Sequence, residues 1–256
     1  MFPGGPMRER LILLTNDDGL WAPGLDLLAG VASRFGRVVA VAPDRNRSGI
    51  SSAMSLHGVL RLHELGGDRY ACDGTPVDCV LLGIRGVLEG RVPDWVLSGV
   101  NRGLNLGEDV FYSGTVAAAF EGSIQGARAA AISLAEDGEL AQAEAWIARF
   151  LEHFDSLDLA PRRVWNLNLP AGEPKGFRLG AQDSRSYHDQ VERRLDPRGT
   201  PYFWIGGAGR PTFTHAPGSD AELVRAGWAA VTPLRLDLTD PDAMGRARAS
   251  EALLNG

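Results

Sequence analysis

Asp17 and Asp18 are adjacent carboxylates that directly follow the apolar run Leu11–Thr15 and Asn16. Neighbouring negative charges repel unless a cation stands between them. Hard oxygen donors of this kind suit Mg²⁺, Mn²⁺ or Ca²⁺. The stretch Asn16-Asp17-Asp18-Gly19 is also ordinary turn chemistry, in which an Asp caps the next helix. Two later loops offer neutral oxygens. Ser48 lies in Pro43-Asp44-Arg45-Asn46-Arg47-Ser48-Gly49, and Asn101 in Gly99-Val100-Asn101-Arg102-Gly103. Each alone reads as a turn residue. Joined with Asp17 and Asp18 they make a shell of two carboxylates and two neutral donors, with positions open for water and substrate. Around a divalent ion such a shell keeps net positive character, which suits a phosphate ligand. A further loop, Tyr112-Ser113-Gly114-Thr115, precedes an Ala-rich stretch. A hydroxyl-Gly-hydroxyl loop at a helix start offers N–H and O–H donors to an anion, or serves as a plain N-cap.

Other chemistries lack their residues. There is no Walker A lysine motif, no Gly-x-Gly-x-x-Gly fingerprint and no Gly-x-Ser-x-Gly elbow. The histidines show no His-x-x-x-His pairing; His188, in an Arg-rich segment, is the one that stands out. A phosphoaspartyl enzyme carries Asp-x-Asp after its first strand and a lysine for the phosphoryl group, whereas here Lys175 is the only lysine. Cys72 and Cys79 form no disulfide framework or thiolate metal site, which places the chain in the cytoplasm.

These loops share a position: each follows a strand pattern. Leu11–Thr15, Arg37–Ala42, Trp95–Ser98, Ala130–Leu134 and Val164–Leu169 read as strands. Gly24–Phe35, the stretch from Thr75 to about Val87, Thr115–Ala127 and Leu140–Phe154 read as helices. Thr75-Pro76-Val77-Asp78 carries a helix-start signature: a Thr cap, Pro at the first position and an acid at the third. Leu56–Leu65 and Tyr70–Cys72 read as more exposed strands, and Trp228–Leu234 as a last one. Apolar strands alternating with helices predict a mostly parallel, doubly wound sheet of the Rossmann-like type, covered on both faces in three layers. Ligands then bind at the carboxyl ends of the strands. After Pro170 the pattern breaks. Residues 184–207 are polar, Arg-rich and aromatic around the turn Asp196-Pro197-Arg198-Gly199, and read as a protruding hairpin arm.

The whole chain has 256 residues and a net charge of −6, enough for a large α/β core and unsuited to sequence-independent binding of duplex nucleic acid. No apolar run reaches the ~18–20 residues that span a bilayer. Residues 1–7 read as a frayed tail and not as a signal peptide. Residues 8–256 read as one α/β domain.

Together the loops resemble the SurE (survival protein E) family of metal-dependent nucleotidases. The resemblance is carried by Thr15-Asn16-Asp17-Asp18-Gly19, Ala42-Pro43-Asp44-Arg45-Asn46-Arg47-Ser48-Gly49 and Gly74-Thr75-Pro76-Val77-Asp78. It continues through Ser98-Gly99-Val100-Asn101-Arg102-Gly103 with Asn105 and Gly107, Tyr112-Ser113-Gly114-Thr115, and Val231-Thr232-Pro233-Leu234. It departs at Ser52, Ala53 and Ser55, where the family more often has His or Asn, Ser and Thr.

The resemblance implies hydrolysis of nucleoside 5′- and 3′-monophosphates, with an exopolyphosphatase side activity. It implies one divalent metal ion per subunit, held by Asp17, Asp18, Ser48 and Asn101, the two aspartates being catalytic. Asn16, Gly19, Asn105, Ser113, Gly114 and Thr115 form the expected phosphate- or substrate-binding set. The arm is expected to build a homodimer or homotetramer. The alternative from another class is a non-catalytic nucleotide sensor on the same fold.

Overall fold

The computed structural model describes residues 9–158, 160–186, 191–205, 212–251 and 255. Strand β1 (Leu11–Thr15) is buried at every residue. Ile12 and Leu14 enter one apolar core and Leu11 and Leu13 the other, so both faces of the strand are covered. A continuous apolar run is the signature of such a strand. The chain continues through α1 (Pro23–Ala32), β2 (Arg37–Pro43), β3 (Leu62–Glu64), β4 (Arg69–Cys72) and α2 (Pro76–Leu82). Then come β5 (Trp95–Arg102), α3 (Gly114–Ile124), β6 (Arg128–Leu134), α4 (Leu140–Glu152) and β7 (Arg163–Leu169). The remainder is β8 (Phe177–Leu179), β9 (Arg185–Ser186), β10 (Val191–Leu195), β11 (Pro201–Ile205), β12 (Thr212–Phe213), α5 (Asp220–Arg225), β13 (Ala229–Arg235) and α6 (Pro241–Ala247).

The main sheet has nine strands in the order β3-β4-β2-β1-β5-β6-β7-β13-β8. Its centre is parallel, from β4 through β2, β1, β5 and β6 to β7. The expected α/β architecture is present. From β1 the strand order runs outward both ways, so β1 and β5 flank the point where the winding reverses. That point opens a crevice at the carboxyl edge. Helices α1 and α4 pack on one face with Leu25, Leu28, Trp146 and Phe150, while α2 and α3 cover the other with Cys79, Val80 and Val116.

The helix signature at Thr75 is realised as a full capping box. The Thr75 hydroxyl accepts from the Asp78 N–H, and the Asp78 carboxylate accepts from the Thr75 N–H. The α-helix stops at Leu82 and gives way to a π turn, Gly83–Val87.

Other expectations change. Of Leu56–Leu65 only Leu62–Glu64 is a strand. Leu56 and Val59 stay exposed, and the segment before them is anchored elsewhere: Thr75 Oγ1 donates to the Ala53 carbonyl, and Ser55 N–H to Asp78. The last strand, read at Trp228–Leu234, forms as β13 over Ala229–Arg235. β13 lies between β7, to which it is antiparallel, and β8, which three residues of partly exposed sequence did not announce. Strands β10 and β11 pair as an antiparallel hairpin, with Asp196 accepting N–H bonds from Arg198 and Thr200 in the turn. The tail at 1–7, His188 and Gly207 lie outside the described residues.

Candidate active site

The loop after β1 folds on itself. The Asn16 side-chain amide donates to the Gly19 carbonyl and accepts the Gly19 N–H, at 2.9 and 3.1 Å. Gly19 has φ of +105°, which favours glycine. Asn16 and Gly19 therefore bond each other and shape the turn that presents the two aspartates. The loop after β2 is sewn to this turn: Arg47 N–H donates to the Asp17 carbonyl, and Leu20 N–H to the Pro43 carbonyl. Ser48 follows directly.

Asp17 is 4% exposed. Its carboxylate sits against the start of α3, where Thr115 Oγ1 donates to it at 2.5 Å. A Cβ on Gly114 would lie 2.9 Å from the Asp17 Cβ and 3.1 Å from Oδ2, so this close approach requires glycine. Burial pushes the Asp17 carboxyl above the ordinary carboxylate value. The Thr115 hydroxyl and the N–H groups of Asp17, Thr115 and Gly114 oppose that shift. Burial and the charge of Asp17 likewise push Asp18 up, against the N–H and guanidinium of Arg102. Asn46 Nδ2 donates to Asp18 at 3.1 Å. Ser113 caps α3 by accepting the Val116 N–H.

At the end of β5 the register with β6 shifts between Ser98 and Asn101. Asn101 Nδ2 donates to the Gly103 carbonyl at 2.7 Å, which leaves its Oδ1 as an acceptor. Arg102 clamps the facing loop through the Glu136 and Gly138 carbonyls.

A cleft of about 980 Å³ opens at this edge and is lined by Asp17, Ser48, Asn101, Asn105 and Ser113. Asp18 stands beside that lining, partly exposed. Gly114 and Thr115 stand behind Asp17. The Thr115 hydroxyl faces the aspartate, a partner that the loop motif alone did not reveal. The cleft also takes in Asp109 and Phe213, which sequence reasoning missed, and Arg185, for which the Arg-rich segment allowed a place either at the mouth of the site or against a partner. Arg185 forms an ion pair with Asp109, and its N–H donates to Glu108. No local pattern signals a contact between the Gly107–Phe111 turn and a segment more than seventy residues away. A second cleft, about 860 Å³, lies around Arg10, Trp95, Arg128 and Asp155. It holds none of the predicted residues. Its guanidinium groups are already committed to Phe35, Phe154 and Leu157 carbonyls and to Asp155.

The donor set fits a hard divalent cation. Asp17 and Asp18 are carboxylates whose proximity raises the proton affinity of Asp18, and a cation relieves that repulsion. Among the described residues no cluster of three or more His, Cys, Asp or Glu is gathered as for a metal. The expected set is different in kind, with two acids and two neutral oxygens.

Fold and cleft together define a doubly wound α/β protein with an acid-bearing cleft at the switch point of its sheet. The family model described as "Survival protein SurE" matches residues 12–189, and the chain belongs to that family. A curated relative from Syntrophotalea carbinolica, named 5′-nucleotidase SurE, is 48% identical over 235 residues, covering 90% of this chain and 93% of its own. One of the same name from Anaeromyxobacter sp. is 48% identical over 236 residues, covering 88% and 90%. The crystal structure of the SurE protein from Aquifex aeolicus superposes with a TM-score of 0.82 at 37% identity, covering 94% of this chain and 99% of that one.

Proposed function

We propose that this chain is a divalent-metal-dependent phosphomonoesterase that hydrolyses nucleoside 5′-monophosphates, and 3′-monophosphates as well, to nucleoside and phosphate. Relatives of about half-identical sequence that carry the name 5′-nucleotidase support the activity. The observation that carries the reading is the meeting of Asp17, Ser48, Asn101, Asn105 and Ser113 in one cleft. Asp17, Asp18, Ser48 and Asn101 would hold one Mg²⁺, Mn²⁺ or Ca²⁺ per subunit. When bound, that ion supplies Lewis-acid polarisation of the phosphoryl group and of the attacking water. One of the two aspartates takes the proton of that water. Asn105 and Ser113, which line the cleft, hold the phosphate oxygens as charge develops on them, while Gly114 and Thr115, expected in the same set, seat Asp17 instead. Short polyphosphate, which presents the same terminal group, is a side substrate.

The unit that acts is residues 8–256, with the β10–β11 arm building a homodimer or homotetramer. Val191, Leu195, Phe203 and Trp204 on that hairpin are all exposed, and clustered aromatic residues of this kind favour burial at an interface. No helix among the described residues is long and apolar enough to cross a membrane. Cys72 and Cys79 are both unpaired and buried, which suits the cytoplasm.

A phosphate-release screen over nucleoside monophosphates and sugar phosphates, with and without Mg²⁺ or Mn²⁺, tests the function. Release from nucleotides only with metal is expected. Measurable nucleotide binding with no turnover would replace this reading with the sensor.

A further inference from the structure

Strand β7, between β6 and β13 inside the sheet, carries two asparagines, Asn166 and Asn168, and both are fully buried. Asn is depleted in strands, and a buried amide destabilises the fold unless it is bonded. Period-two alternation places both with Val164 on the face that α3 covers, while Trp165, Leu167 and Leu169 enter the opposite core. Their hydrogen bonds converge on the backbone of one residue. Asn168 Oδ1 accepts the Asn105 N–H at 2.8 Å. Asn168 Nδ2 and Asn166 Nδ2 both donate to the Asn105 carbonyl, at 3.1 and 2.8 Å.

Asn105 belongs to no helix or strand. Two side chains thus supply the bonds that a neighbouring strand would otherwise make to it. The Asn105 side chain is held as well, since its Nδ2 donates to Ser133 Oγ at 2.8 Å. Ser133 is the β6 residue in register with Asn168. Asn105 lines the cleft, whereas neither β7 asparagine does.

We infer that Asn168, supported by Asn166, is a positioning residue for the reaction: it fixes Asn105 at the phosphate end of the cleft without touching the substrate. The functional half of this rests on the reading above. The clamp on Asn105 stands on geometry alone. Residues acting through one another give non-additive effects in a double-mutant cycle, and residues acting separately multiply.

The test combines hydrogen exchange with kinetics on the full-length protein. In Asn168→Ala, amide exchange of the peptide spanning 103–106 should speed up by about tenfold or more, while β1 and β5 peptides keep their protection. With Mn²⁺ and a nucleoside monophosphate, kcat/KM should fall about tenfold, and the Mn²⁺ concentration for half-activity should not move. In an Asn105→Ala background the same substitution should change kcat/KM by less than about twofold. Unchanged exchange at 103–106 would overturn the proposal, and so would costs that multiply. If Asn168→Ala does not fold, Asn166→Ala, which removes one donor, is read by the same measures. If the wild-type protein releases phosphate from no nucleoside monophosphate, the nucleotidase reading fails. The exchange comparison then decides the clamp by itself.

Discussion

The hydroxyl of Thr115 donates to a carboxylate oxygen of Asp17 at 2.5 Å, across 98 residues of sequence. The start of α3 is therefore docked on a candidate metal ligand, and whatever holds the helix also holds the aspartate. A rigid acid placed by a helix terminus is a preorganised one.

That bond can be tested by removing the hydroxyl alone. Thr115→Val keeps the shape and leaves a buried carboxylate with one donor fewer. Hydrogen bonds to charged groups contribute about 1.5–3 kcal/mol, so the Mn²⁺ midpoint for activity should rise about tenfold or more. Thr115→Ser should restore it. A midpoint equal to wild type in Thr115→Val would show that the bond does not support metal binding.

Asp17→Asn keeps the side-chain shape and removes a charge. Phosphate release should fall by at least ~10²-fold, because a bound divalent ion supplies several kcal/mol of charge stabilisation. Excess chelator should silence the wild-type enzyme, and added Mn²⁺ or Mg²⁺ should restore it. Full activity in chelator would refute metal dependence.

Gly114→Ala forces a methyl group onto Asp17 and to within 3.2 Å of the Pro76 ring. Overpacking of this kind costs about 1–3 kcal/mol, read as a lower urea midpoint. Activity should drop too, and excess metal should restore part of it, because the displaced group is a proposed metal ligand. Gly172→Ala, where a Cβ meets nothing within 4 Å, is the control.

Asp183 ties the segment before β9 to the one after β12. Burial raises its carboxyl, but the Thr214 hydroxyl and the N–H groups of Ser184 and His215 outweigh burial and hold it below the ordinary value. A depressed folded pKa stabilises the protein above the unfolded value of ~3.9, and that contribution is lost as pH falls through the folded one. Asp183→Asn should therefore lower the urea midpoint at pH 7, and the gap to wild type should narrow as pH drops below ~3.9. An equal gap at both pH values would contradict this.

Replacing Arg194–Tyr202 with a short Gly linker removes the hairpin turn and the two residues of each strand next to it. A smaller species should appear by sedimentation, with metal-stimulated activity reduced far less than in Asp17→Asn. A wild-type protein already sedimenting at 27.4 kDa in the micromolar range would rule out assembly through the arm.

The sequence by itself determined the central layers and the candidate ligand loops. Leu11–Thr15 and Val164–Leu169 announce strands buried on both faces, and Thr75-Pro76-Val77-Asp78 announces a helix start, because those signals are local periodicities and caps. Asp17, Asp18, Ser48 and Asn101 were legible for the same reason: each follows a readable strand, and a parallel sheet sends such ends to one edge. Only the tertiary structure decided what those loops touch. It turned the Thr115 hydroxyl toward Asp17, closed Asn16 onto Gly19, set β13 inside the sheet and brought Arg185 and Phe213 to the cleft. It also turned Asn166 and Asn168, to which the strand pattern gave no partner, into the support of Asn105. Hydrogen bonds between residues tens of positions apart depend on strand register and loop path to within an ångström. Residue type and spacing along the chain do not encode that distance.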